Sequence, residues 1–388
     1  MIKPPDYISD IKPYIPGKPI EELEREFGIK DSIKLASNEN PIGPSPLAIK
    51  AIIGSLISSN SSNSLNRYPD GSGYYIKKAL SDKLSVGEDE IILGNGSNEL
   101  IDIAVRTFLQ PDDEAVMAHP SFIVYPMAVQ AGGGKPVQTP LKNYTHDLEA
   151  MADAVTSKTK MLFIANPNNP TGTINKRTEF DRLMDRLPGG ILVVADEAYY
   201  EYVTDPDYAD SMKYFRDGRD ILTLRTFSKI YGLAGLRIGY GIARQDIISE
   251  MNKLRPPFNT NSIAQNAALW ALKDNNHVKH TREINEQGKN YLYRELDSLN
   301  LKYIPTEANF IYILLGQENP PSPPLKSPSA PLFQRGVWGD SGGLYNELLR
   351  QGVIVRPVGP KEIRVTIGLP EENKRFIEAL KKSLVIGF

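Results

Sequence analysis

The chain has 388 residues, and its 45 lysines and arginines nearly balance 47 aspartates and glutamates, for a formal charge of −2. That balance argues against a nucleic-acid partner, which needs concentrated basic charge. The absence of cysteine excludes disulfides, thiolate metal sites and cysteine nucleophiles. No stretch reaches the roughly 18 consecutive apolar residues of a membrane helix, and MIKPPDYISDIKPY has no apolar leader core. The expectation is a cytoplasmic protein without a membrane partner.

Residues 1–40 are rich in Pro, Lys and Glu, show little apolar periodicity and read as an N-terminal arm, not a core. Beyond residue 75, helical and strand patterns alternate. Ser97 can cap a helix through NELIDIAVRTFL, EAVMA (114–118) reads as a strand, and FIVYPMAVQ starts a helix. KMLFIA (160–165) and ILVVAD (191–196) are continuous apolar runs, typical of strands buried on both faces. A polar helix over 176–187 lies between them and ends at Pro188-Gly189. ILTLRTF (221–227) and RIGYGIA (237–243) follow as strands. This alternation predicts an α/β fold with a mostly parallel, mixed sheet in a large domain over 41–260.

After Pro256-Pro257 the pattern changes. A long helical stretch (262–297) leads to strands LKYI (301–304) and ANFIYILL (308–315), a helix over 343–351, strands VIVRP and EIRVTIG, and a last helix over 370–384. They predict a smaller α+β domain over 261–388. Between its second strand and the next helix lies a Pro-rich insert, 317–342, with six prolines. A connection this long is uncommon in a compact domain, and a tolerated surface insertion is favoured over a peptide ligand for a partner's groove. Its proline half is expected to be extended, with Leu332 to Trp338 packed on the small domain.

GNGSNE (94–99) imitates a dinucleotide fingerprint, but Glu99 occupies the third glycine position and the rule fails. What remains is a glycine turn feeding a helix N-terminus, a good anion site. His119, His146, His277 and His280 read as solvated, and no metal site is expected. More informative are four segments in order. NPNNPTG (166–172) follows one apolar strand and DEAY (196–199) another; TFSK (226–229) ends a third, and AGLRIGY (234–240) opens a fourth. In open α/β sheets, ligands bind at such strand ends. Each residue alone has an ordinary reading as cap, turn or surface charge. Together they fit pyridoxal phosphate, which needs a lysine for a Schiff base, an acid for its ring nitrogen and donors for its phosphate. Lys229 supplies the first and Asp196 the second. Thr226, Ser228, Arg237 and the Gly96-Ser97-Asn98 turn supply the third.

These motifs resemble those of fold-type I pyridoxal-phosphate aminotransferases, whose N-P-x-N-P-T-G, D-E-x-Y, S-K and R-x-G occur here in the same order. PYIPGKPIEELEREFG (13–28), LASNENPIGPSP (35–46), RYPDGSGYYIKKAL (67–80) and GVIVRP followed by EIRVTIG are similar to the histidinol-phosphate aminotransferase branch. The resemblance implies an aspartate-aminotransferase-like fold and transfer of an amino group between histidinol phosphate and 2-oxoglutarate. It implies that Lys229 binds the cofactor and moves a proton, and that Asp196 pairs with the ring nitrogen. Asn169 and Tyr199 would bond the phenolic oxygen, and Phe122 would stack on the ring. Tyr68 would reach the neighbouring subunit's cofactor phosphate, which implies a homodimer. Arg364 would bind the carboxylate of the amino-group partner, while Arg356, Tyr14 and Asn98 would hold the substrate phosphate. An aromatic aminotransferase and a phosphothreonine decarboxylase share this core. A non-catalytic pyridoxal-phosphate-binding regulator is the alternative of another class, but it expects an added DNA-binding domain for which residues 1–40 leave no room.

Overall fold

The apolar runs in the middle of the chain form strands whose successive side chains enter two different cores. Leu162 and Ile164 join one buried cluster, while Met161 and Phe163 join the other. Val193 and Ala195 divide from Leu192 and Val194 in the same way. Such alternation is what the two-residue period of a strand requires when helices cover both faces. The computed structural model describes residues 2–57, 65–315 and 340–385.

The strands are β1 (Ile33–Lys34), β2 (Ile91–Gly94), β3 (Glu114–His119), β4 (Lys135–Lys142), β5 (Thr145–His146), β6 (Thr159–Ala165), β7 (Leu192–Asp196), β8 (Ile221–Thr226) and β9 (Gly239–Ile242). They continue with β10 (Lys302–Ile304), β11 (Phe310–Leu314), β12 (Val353–Ile354), β13 (Arg356–Gly359) and β14 (Glu362–Thr366). Eight of them form a sheet ordered β2-β9-β8-β7-β6-β3-β4-β5. The run from β8 to β4 is parallel, whereas β9 is antiparallel to both β8 and β2. Helices Ser97–Phe108 and Gln245–Leu254 cover one face, and Tyr74–Leu84, Arg177–Arg186 and Ser262–Lys273 cover the other.

β10, β11, β14 and β13 form a second, antiparallel sheet with its own apolar cluster. The segment read as an arm departs from that reading. Helix Ile20–Phe27 buries Leu23, and β1 pairs in parallel with β12, Ile33 opposite Val353 and Lys34 opposite Ile354. Leu35 and Ala36 are buried as well, so residues 20–36 are built into the C-terminal body. One fully buried helix residue and a two-residue strand leave no period to read in the sequence.

The long helical stretch also divides, into Ser262–Lys273 and Asn275–Ser298. Asp274 separates them and caps the second helix, its carboxylate accepting from the His277 amide at 3.1 Å. Residues 316–339, most of the Pro-rich insert, lie outside the described residues, so the expected extension and the packing of Leu332 to Trp338 do too. The insert's last residues, 340–342, already belong to helix Asp340–Arg350. Among the described residues, no helix is long and apolar enough to cross a membrane.

Candidate active site

Parallel strands end on the same side of a sheet, and this topology gathers the motif residues. The ends of β6, β7 and β8 carry Asn169, then Asp196 and Tyr199, then Thr226, Ser228 and Lys229 to one cavity of about 660 Å³. Gly96, Ser97 and Asn98 at the start of helix Ser97–Phe108, with Phe122 and Arg237, line it too. Arg356 and Arg364 enter from the small sheet, and Tyr14 from the N-terminal segment. Tyr68 stands apart. It is 80% exposed, stacks on Phe258 at 4.7 Å and does not line this cavity.

Tertiary contacts hold the NPNNPTG turn in place. Asn168 Oδ1 accepts from Ser121 Oγ at 2.8 Å and lies 3.0 Å from His146 Nε2. His146 is buried, contrary to its reading as a solvated loop residue, because it lies in β5 with the turn's Asn168 against its ring. Burial pushes its pKa down to about 4, so it is neutral at ordinary pH. His277 is also buried and His119 partly so; only His280 keeps the exposed position expected of all four. Gly172 adopts φ +76°, and a Cβ there would lie 2.0 Å from Thr306 Oγ1, so the turn requires glycine.

Asp196 is 6% exposed. Its Oδ2 accepts from the Tyr125 hydroxyl at 2.8 Å and its Oδ1 from the Ala198 amide at 3.1 Å. Burial raises its pKa, and these two hydrogen bonds with the Lys229 charge oppose that rise. Lys229 Nζ donates to the Ser37 carbonyl at 3.1 Å. Burial first, then the Arg364 and Arg237 charges, lower its pKa to about 7, against the pull of Glu39 and Asp196. An amine so tuned is a nucleophile and base near neutrality. The Tyr199 hydroxyl accepts from Asn38 Nδ2 at 2.8 Å.

On the other side of the cavity, Arg364 donates through Nη1 to Asn169 Oδ1 and through Nη2 to the Ala36 carbonyl, the latter at 2.6 Å. Its buried Nε has no hydrogen-bond partner among the described residues. Burial lowers its pKa to about 10, so the guanidinium remains a cation. Arg356 lies directly opposite it across β13 and β14, donates to the Ile15 carbonyl at 3.1 Å, and faces the Tyr14 ring at 5.5 Å. Both guanidiniums line the cavity, and two such groups side by side suit an anion.

Tyr125, Asn38, Ser37 and Glu39 are site residues that the sequence reading did not assign. Tyr125 had a signal, three residues after Phe122, whose ring it meets edge-on at 5.5 Å. The others come from LASNENP, whose partners Thr366, Asn309 and Tyr199 lie far from it in sequence.

A lysine and a buried acid at neighbouring strand ends, faced by two arginines, define a transaminating site on this sheet. The family model described as Aminotransferase class I and II matches residues 30–380, and the chain belongs to that family. Within it the chain is a member of the histidinol-phosphate aminotransferases. It is 47% identical to the histidinol-phosphate aminotransferase of Moorella thermoacetica over 97% of this chain and 92% of that one. It is 45% identical to histidinol-phosphate aminotransferase 1 of Nitrosococcus oceani, over 97% and 95% of the two chains. The fold is also that of the Sinorhizobium meliloti histidinol-phosphate aminotransferase solved in complex with pyridoxal-5'-phosphate. The TM-score there is 0.85, at 24% identity over 100% of this chain and 98% of that one.

Proposed function

We propose that the protein transfers the amino group of L-histidinol phosphate to 2-oxoglutarate, giving imidazole acetol phosphate and L-glutamate in histidine biosynthesis, with pyridoxal 5'-phosphate as cofactor. The observation that carries this reading is one cavity holding Lys229 and Asp196 on one side and the Arg356–Arg364 pair on the other.

The residues present fit the cofactor. Gly96 adopts φ +82°, and a Cβ there would lie 2.6 Å from Arg237 Nη2, so glycine keeps a cradle open beside that guanidinium. The start of helix Ser97–Phe108, with the Thr226 and Ser228 hydroxyls, lines the same corner. Unpaired helix-terminal N–H groups and a guanidinium suit a phosphate. Asp196 would hold the ring nitrogen in its charged form, Asn169 and Tyr199 would bond the phenolic oxygen, and Phe122 would stack on the ring. When bound, the cofactor supplies an electron sink for the bond broken at the substrate Cα.

Lys229 Nζ takes the proton from that Cα, which its lowered pKa allows near neutrality. Arg364 orients the substrate by pairing its planar fork with a carboxylate or phosphate. Arg356, Tyr14 and Asn98 complete the phosphate site. Two arginines serving both anions answer the problem of two unlike substrates sharing one cavity.

A homodimer completes the arrangement, with Tyr68 of the partner subunit reaching the cofactor phosphate. Its support is the set of exposed large apolar side chains in this part of the chain, Ile53, Leu56, Leu65, Tyr68, Tyr74 and Tyr75. The cysteine-free chain fits the cytoplasm. The test offers purified protein with pyridoxal phosphate four donors in parallel: histidinol phosphate, phenylalanine, aspartate and phosphothreonine. Histidinol phosphate should give the highest kcat/KM with 2-oxoglutarate. A preference for phenylalanine, or carbon dioxide release from phosphothreonine, would replace this reading.

A further inference from the structure

The cavity holds four cationic side chains, Lys229, Arg237, Arg356 and Arg364, but among its described lining residues only two acids, Asp196 and Glu39. The arginines account for the anionic ends of both substrates. They leave the imidazole of histidinol phosphate without a partner, and a ring N–H withdrawn from water needs an acceptor. Asp196 cannot provide one, since both of its oxygens are engaged and it is nearly closed off.

Glu39 differs on each point. Its side chain is 45% exposed; Oε1 accepts from Lys34 Nζ at 3.1 Å, and Oε2 has no hydrogen-bond partner among the described residues. The backbone that carries it is fixed on both sides. Asn38 adopts φ +55°; its amide donates to Thr366 Oγ1 at 2.9 Å, and its carbonyl accepts from Asn309 Nδ2 at 3.1 Å. The Asn40 side chain donates to the Ile230 carbonyl at 2.9 Å. Only the Glu39 side chain is left to adjust. The part-buried pair with Lys34 engages only Oε1, so Oε2 stays available to a ligand. Glu39 lines the cavity together with Lys229, and two residues before it the Ser37 carbonyl accepts from Lys229 Nζ at 3.1 Å, which places this segment on the reacting side of the cavity.

We infer that Glu39 accepts the imidazole N–H of the amino donor and so selects an imidazole substrate in a cavity otherwise built for anions. This rests on the histidinol phosphate reading above. Glutamate has no such N–H, and its second carboxylate gains nothing from Glu39, so its half-reaction is an internal control for folding, cofactor binding and Lys229.

The experiment compares wild type, Glu39→Gln and Lys34→Met in the two half-reactions. Glu39→Gln should raise KM for histidinol phosphate about tenfold, the loss expected when a hydrogen bond to a charged group becomes a neutral one. Its kcat should hold, and its KM for glutamate should not rise. Lys34→Met should leave both donors near wild type. In a Lys229→Ala background, which cannot turn over, calorimetry should show the same tenfold weakening of histidinol phosphate binding on adding Glu39→Gln. An unchanged KM for histidinol phosphate, equal losses on both donors, or a Lys34→Met protein that matches Glu39→Gln would each overturn the assignment. A wild-type enzyme that transaminates glutamate but not histidinol phosphate would remove the underlying reading and this inference with it.

Discussion

The two sheets that meet at the cavity treat charge differently. At the end of the eight-stranded sheet, the acids are satisfied within the fold: Asp196 by Tyr125 and Ala198, and its neighbour Glu197 by Arg225 in a buried pair at 2.8 Å. The four-stranded sheet instead sets Arg356 opposite Arg364, and Arg364 hydrogen-bonds only to an amide and a carbonyl among the described residues. One side is prepared to move protons before substrate arrives. The other holds cationic hydrogen-bonding capacity for anions that the substrate brings. Changes on the large sheet should therefore lower kcat, and changes on the small sheet should raise KM.

Lys229→Ala should cost most, roughly 10⁴-fold in turnover, because it removes both attachment point and base. Stopped-flow half-reactions would measure this, and a residual rate near wild type would break the division outright. The lysine also predicts a pH dependence. With its folded pKa near 7, capture of pyridoxal phosphate by the cofactor-free protein should accelerate as pH rises through 7 and level off above it. The stability sign follows. The unfolded lysine, with its ordinary pKa of 10.5, binds more protons between pH 7 and 10.5, so this group's penalty on the fold is full below 7 and fades towards 10.5.

Asp196→Asn should keep the fold and lose roughly 10²-fold or more in the half-reactions, since a neutral amide cannot hold a ring charge. Arg364→Gln should act differently, raising KM for both donors by roughly 30-fold or more, with a smaller change in kcat. Because it removes a buried cation that lacks a carboxylate partner among the described residues, the melting temperature of the cofactor-free protein should not fall. A large drop in melting temperature would make Arg364 a structural residue. Tyr125→Phe should have the smallest effect, a several-fold loss of kcat from one hydrogen bond to Asp196. No loss at all would separate the aspartate from its built-in donor.

Legibility follows the same division. The large sheet could be read because its strands are continuous apolar runs, and Asp196, Lys229 and Arg237 lie next to strand ends. The antiparallel turn of β9 within that sheet carries no such signal, since Gly239–Ile242 would look alike in either direction. The small sheet's arginines were legible only through resemblance, because an arginine in a short strand usually reads as a surface charge. Residues 33–40 were the hardest. Their two-residue strand, buried Asn38 and half-exposed Glu39 acquire meaning only from partners far away in sequence, such as Thr366, Asn309 and Tyr199. His146 was misjudged for the same reason, since its burial depends on a turn twenty residues away.

The central claim is that the lysine at the end of β8 is where the cofactor attaches and the chemistry begins. Borohydride reduction of the protein loaded with pyridoxal phosphate, followed by peptide mapping, tests it most directly. The account predicts one stoichiometric label, on the peptide that contains Lys229. A label on any other lysine, or none on a folded protein that binds the cofactor, would contradict it.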